Sequence, residues 1–176
     1  LEGRHNLANC LAAMALGDEA GLAPDAMKDV MTSFRGLPHR SEWVADIEGV
    51  RYINDSKATN VGASMAALAG MERPAVLIAG GDGKGADFRV LKEVVQSKVK
   101  AMVLLGRDGP LIQEALKDLV PTRVVTTLQE AVPAARSFAA AGDVVILAPA
   151  CASLDQFKDY QARGRAFVEA VGKLKP

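Results

Sequence analysis

Cysteine is nearly absent from this chain: Cys10 and Cys151, far apart in sequence, are the whole complement. That excludes a disulfide framework, and the two thiols read as unpaired residues of a reducing, cytoplasmic compartment. Net charge is absent too, with 21 Lys plus Arg against 21 Asp plus Glu. An electrostatic nucleic-acid binder would carry a basic excess or stripe. No apolar run approaches the roughly 20 residues of a membrane span. The start lacks the charged-then-apolar layout of a secretory signal. Two histidines without an acidic cluster beside them make no metal site. An initiator methionine is also missing. Leu1-Glu2-Gly3-Arg4 runs directly into a helical pattern, so the first residues read as the end of something longer.

What is present suits one full domain and a piece of another: 176 residues, of which 49% are apolar. Leu7, Leu11, Met14 and Ala15 recur at helical spacing, and Gly21 can end that helix. Pro24 can open a second helix, with Met27, Val30, Met31 and Phe34 on one face and Gly36 as its stop. Leu37-Pro38 breaks the pattern, giving an expected division into residues 1–36 and 37–176. Beyond it, a hairpin is expected over 43–53 with Glu48-Gly49 as its turn. Buried strands follow at 75–79, 101–105, 123–125 and 144–147. Helical patterns over 61–68, 87–97, 110–119, 128–141 and 156–173 separate them. This alternation predicts an α/β, Rossmann-like, doubly wound and mostly parallel sheet, with one antiparallel edge strand and a short all-helical segment before it.

In a parallel sheet every strand-following loop opens on the same edge, where open α/β sheets bind ligands. Four such loops are expected, at 54–60, 80–85, 106–109 and 149–153. Strand-preceding connections such as 98–100 read as solvated turns. Asn54-Asp55-Ser56-Lys57-Ala58-Thr59-Asn60 is the richest loop, offering an acid, a cation, hydroxyls and amides. Gly80-Gly81-Asp82-Gly83-Lys84-Gly85 can turn its N–H groups toward an anion. It is not a nucleotide phosphate loop, because Gly85 stands where G-x-x-x-x-G-K-S/T needs a hydroxyl. It binds an anion, carboxylate included, or is a flexible connection with an incidental lysine. Ser153 reads either as an N-cap or as an anion-binding donor at a helix start. Cys151 lacks a histidine partner in any strand-following loop and reads as a small core residue. Asn6 and Asn9 share a helix face and can read a base edge or cap the helix. His39-Arg40 offers a fork for phosphate, and Gly106-Arg107-Asp108-Gly109 reads as a turn with solvated charges.

Several strings stand in the order of the Mur ligases, which the whole chain resembles. They are Gly3-Arg4-His5-Asn6 with Asn9, Gly36-Leu37-Pro38-His39-Arg40-Ser41-Glu42, the 54–60 loop, Gly80–Lys84 with Asp87-Phe88, and Ser153-Leu154-Asp155 with Arg163-Gly164. The Asn-Asp-Ser-Lys-Ala-Thr-Asn and Leu-Pro-His-Arg strings are similar to those of the members that add D-glutamate to UDP-MurNAc-L-alanine. Such enzymes spend ATP, with Mg, to make an acyl phosphate that the amine of D-glutamate attacks. The resemblance implies that residues 1–36 are the helical tail of the central ATPase domain and 37–176 the C-terminal amino-acid-binding domain. The partners would be the remaining N-terminal and central domains. It places Asn6, Asn9 and Lys57 near the adenine, Asp55 on the ribose and Arg40 toward the phosphates. Thr59, Lys84, Ser153, the Leu154 backbone and Tyr160 would hold D-glutamate. No residue here is then catalytic in itself; all position. The isolated chain is expected to be inactive and to hold no cofactor alone. Alternatives are another ADP-forming amino-acid ligase, similar to folylpolyglutamate synthase, or a free-standing nucleotide-binding module.

Overall fold

The computed structural model describes residues 4–34 and 36–174, and only the backbone of residues 4–6. The chain divides into two compact units, Leu1–Leu37 and Pro38–Pro176. The first is a helix pair, α1 (Arg4–Glu19) and α2 (Pro24–Ser33). Gly21 takes φ 73° between them, and Pro24 opens α2, where its missing N–H costs nothing. Leu7, Leu11 and Leu16 are each at least 60% exposed. Among the described residues of this unit only Gly17 is buried, so the pair encloses no core of its own.

The second unit is built on a six-stranded sheet of order β1-β2-β6-β3-β4-β5. β1 (Glu42–Ile47) and β2 (Val50–Asn54) form the antiparallel hairpin. Its turn residues Glu48 and Gly49 both have positive φ, 50° and 77°, which a two-residue turn between twisted strands requires. Every other pairing is parallel. β3 (Ala75–Gly80), β4 (Val99–Leu105), β5 (Thr122–Val124) and β6 (Val144–Leu147) alternate with α3 (Val61–Ala69), α4 (Lys92–Lys98), α5 (Gly109–Ala115), α6 (Leu128–Phe138) and α7 (Tyr160–Gly172). The register of β1 slips between Trp43 and Ala45, and β5 is three residues long.

Alternate residues of each buried strand face opposite sides. Leu77, Met102, Leu104 and Ile146 pack with Leu68, Val95 and Ile112 from α3–α5. Val76, Ile78, Val103, Val145 and Tyr52 pack with Leu128, Val132, Phe167 and Val171 from α6 and α7. Each such side chain contributes about 1.5–3 kcal/mol relative to exposure. The result is the expected α/β sandwich with helices on both faces.

Three local expectations change. Residues 98–100 are not a solvated turn: α4 ends at Lys98 and β4 begins at Val99. Residues 88–91 form a 3-10 turn ahead of α4, capped by the Asp87 side chain on the Arg89 N–H. The last helix starts at Tyr160 rather than near residue 156, because Asp159 accepts from the Ala162 N–H and caps it. Ser153 is therefore not at a helix start. Its carbonyl accepts the N–H groups of Gln156 and Phe157 in a turn.

Candidate functional site at the carboxyl edge of the sheet

β2, β6 and β3 are neighbours and parallel, and they end close together: Leu147, the last residue of β6, is paired with Asn54, the last of β2, and with Ile78, two before the end of β3. The loops that follow them therefore emerge side by side, and hydrogen bonds tie them into one rim. Buried Ser64 of α3 donates to the Ala148 carbonyl at 3.0 Å and accepts from the Ala150 N–H at 2.8 Å. Asp82 and Ala152 exchange N–H···O bonds of 2.9 and 2.8 Å. Gly81 makes that approach possible. A Cβ there would lie 2.2 Å from the Ala152 oxygen, and its φ of +129° is open to glycine alone.

Arg163 of α7 is the main clasp, at 3% exposure. Its Nε donates to the Ser56 hydroxyl at 3.0 Å, and its terminal nitrogens donate to the Ser56 carbonyl at 2.9 Å and the Cys151 carbonyl at 3.0 Å. Ser56 in turn donates to the Tyr160 carbonyl at 2.8 Å. Burial pushes the guanidinium down to about 10, so it remains a cation at neutral pH. Its charge is met by fixed carbonyl dipoles, which is how an arginine can be taken out of water. One residue thereby joins the β2 loop, the β6 loop and α7.

Fully buried Asn54 performs a similar task below. Its amide nitrogen reaches His39 Nδ1 at 2.9 Å, Glu42 Oε2 at 3.1 Å and the Gly164 carbonyl at 3.3 Å, and its oxygen accepts the Ser56 N–H. Residue 164 must be glycine, since a Cβ would lie 2.3 Å from His39 Nδ1. His39 also accepts the Lys57 N–H on its carbonyl at 3.0 Å, so the segment carrying Arg40 is fastened to the 54–60 loop. Asp55, 9% exposed, accepts the Ser41 N–H on Oδ1 at 3.2 Å.

Against this satisfied framework, several side chains keep their donors. Arg40 and Lys84 are exposed, Thr59 is half-buried and Ser153 is buried. None of these four side chains hydrogen-bonds to another described residue. Lys57 Nζ sits 4.3 Å from the centroid of the Tyr160 ring, and that ring meets His39 edge-on. Leu154 is 64% exposed. Lys84 holds φ 53°, a left-handed conformation that costs an L-residue about 1 kcal/mol. Asn9 is exposed on α1 of the first unit, and the Asn6 side chain lies outside the described residues.

Cys151 is buried, and desolvation pushes its thiol up to about 12. It is a packing residue, as its isolation from histidine implied. The 106–109 turn is not merely solvated: Asp108 accepts the Gly83 N–H at 2.7 Å and returns its own N–H to the Gly81 carbonyl. Sequence reasoning gave no role to Ser64, Asp108 or Arg163. Arg163 did carry a signal, a cation set beside glycine within a small-residue stretch of helix. A pocket of about 250 Å³ lies at the opposite edge, lined by Met71, Pro74, Lys98 and Lys100 among others. Two of its cations are engaged, Lys98 on the Met71 carbonyl and Lys100 on Asp143.

Residues 39–151 match the family described as Mur ligase, glutamate ligase domain, and the chain belongs to that family. The UDP-N-acetylmuramoylalanine--D-glutamate ligase of Methylococcus capsulatus is 62% identical over 174 residues, 99% of this chain and 38% of that protein. UDP-N-acetylmuramate-alanine ligase MurC of Thermotoga maritima shares the fold with a TM-score of 0.70 at 21% identity, covering 99% of this chain and 39% of that one. E. coli FolC, solved in complex with DHPP and ADP, gives 0.68 at 20% identity over 96% and 39%. The chain thus spans about two fifths of the length of the curated relatives it matches.

Proposed function

We propose that this chain is the C-terminal part of an ATP-dependent amide ligase that joins D-glutamate to UDP-MurNAc-L-alanine in peptidoglycan precursor synthesis. In the reaction so read, the substrate carboxylate takes the terminal phosphoryl group of ATP, giving an acyl phosphate and ADP. The D-glutamate amine attacks the acyl carbon, the C–N bond forms, phosphate leaves and the amine gives up a proton. Residues of this chain hold and orient. Lys84 faces a D-glutamate carboxylate, Thr59, Ser153 and the Leu154 N–H supply further donors, and Tyr160 walls the side chain. Arg40 faces the phosphates, Asp55 the ribose, and Lys57, Asn6 and Asn9 the adenine. Holding the amine beside the acyl carbon in a water-poor cleft is where such residues lower the barrier, and domain closure would complete the cleft.

The observation that carries this reading is the set of uncommitted donors, Arg40, Thr59, Lys84 and Ser153, on loops otherwise locked together. Leu1–Leu37 is read as the tail of the central ATPase domain, whose remainder would cover Leu7, Leu11 and Leu16, exposed here. Among the described residues no group of three or more His, Cys, Asp or Glu could hold a metal. The reading places the magnesium-binding residues on the part of the enzyme upstream of this chain and routes no step on this chain through magnesium. Nor does it expect the isolated chain to ligate. In the full-length enzyme, Lys84→Ala and Thr59→Ala should raise the KM for D-glutamate about tenfold or more while the KM for ATP moves little. Unchanged kinetics for both substrates overturn the assignment. Competition between D- and L-glutamate in the same assay separates this reading from a folylpolyglutamate synthase-like one.

A further inference from the structure

We propose that Asp108 is a positioning residue for Lys84, and that Arg107 assists it through Asp82. This rests on the reading that Lys84 holds the amino-acid carboxylate. Lys84 stands in a six-residue loop rich in glycine, with an exposed side chain and a left-handed backbone. Such a loop, left alone, samples many conformations, and a lysine on it would sweep a wide volume. Here three consecutive residues are pinned. Asp82 exchanges main-chain bonds with Ala152. The Gly83 N–H donates to Asp108 Oδ2 at 2.7 Å. The Lys84 N–H donates to Asp82 Oδ1 at 3.0 Å.

The pins converge on the turn after β4. Arg107 donates from a terminal nitrogen to Asp82 Oδ2 at 3.0 Å, which orients the carboxylate that holds Lys84. The Arg107 N–H is held by Asp155 Oδ2 at 2.9 Å, and the Asp108 N–H by the Gly81 carbonyl. The contact is close-packed as well: a Cβ on Gly83 would meet Phe88 at 2.5 Å and Asp108 at 3.1 Å. Lys84 is thus held in an unfavourable backbone state by Asp82 two residues before it, while Arg107 and Asp108 hold Asp82 and Gly83 from 25 residues away, and its own side chain bonds to none of the described residues. An L-residue persists at such a position where the surroundings over-determine it. Asp108 touches no substrate in this scheme; it acts by fixing where Lys84 starts.

The test uses the full-length enzyme, steady-state kinetics for each substrate, and a double-mutant cycle. D108A should raise the KM for D-glutamate about tenfold with kcat and the ATP KM nearly unchanged, the signature of lost ground-state positioning. D108N, which keeps an acceptor for the Gly83 N–H, should recover to within about twofold of the parent. In a K84A background D108A should add nothing, because the group it positions is gone. A D108A effect that multiplies with K84A, or that falls equally on ATP, overturns the proposal. So does a silent D108A beside an effective K84A, and that outcome leaves the reading of Lys84 standing. A silent K84A overturns both. Should D108A fail to fold, R107A runs through the same arms: a selective rise of about threefold that vanishes with K84A supports the proposal, and no rise or an additive one ends it.

Discussion

Replacing Arg163 with methionine removes the clasp while keeping side-chain length and helix propensity. Three charge-assisted hydrogen bonds go, two to buried carbonyls of Ser56 and Cys151 and one to the Ser56 hydroxyl. Such bonds contribute about 1.5–3 kcal/mol each, and orphaned buried acceptors add their desolvation cost. Against that, a methionine no longer has to bury a cation, the penalty behind the fall of the Arg163 pKa to about 10. The net loss should be about 3 kcal/mol, at the lower end of what breaking a buried charged contact costs. For a chain of 176 residues that is a fall in Tm of about 10 °C. R163K keeps the charge but not the planar fork, so it should lose about half as much. The assay is urea denaturation followed by far-ultraviolet circular dichroism, with the midpoint shifting and the slope unchanged. K173A is the control: it breaks the exposed Lys173–Glu169 pair at 2.7 Å and should move stability by no more than about 0.5 kcal/mol. An R163M loss below about 1 kcal/mol would refute the idea that Arg163 holds the loops together.

Tyr52 is fully buried, and its hydroxyl bonds to none of the described residues. Y52F should therefore gain about 0.5–1 kcal/mol, read as a higher Tm; a loss larger than that means the hydroxyl has a partner. Asp143, the most buried of the carboxylates with a lowered pKa, contributes to the pH dependence. Burial acts to raise its pKa, but hydrogen bonds from Lys100 and the Ala140 N–H prevail and hold it below the ordinary 3.8. A carboxylate with a depressed folded pKa adds stability above its unfolded value and loses it as pH falls through the folded one. D143N should thus cost about 1 kcal/mol at pH 7 and flatten the loss of stability below about pH 4; an acid limb identical to the parent's contradicts this.

The architecture was legible because each element announces itself locally. β-branched runs between polar turns mark β2, β3, β4 and β6, and Glu48-Gly49 supplies the two positive φ angles the hairpin needs. The common edge of the loops followed from parallel topology alone. What stayed hidden was decided by partners distant in sequence. Nothing around Asp108 tells that its acceptor faces a loop 25 residues earlier. Arg163 sits in a helix whose pattern alone would turn a charge outward, yet two loops from other strands close over it. The start of α7 was misplaced because Ser153 and Asp159 are both good capping residues, and only the folded chain shows that Asp159 caps.

The two lateral strands of the sheet have a consequence for handling the protein. An unpaired strand margin invites a second chain to add on and propagate. Here one margin is kinked by the slip at Trp43/Ala45 and carries an Asp46–Arg51 ion pair, and the other is only three residues long. Neither makes a straight template, so the sheet resists growing into fibrils.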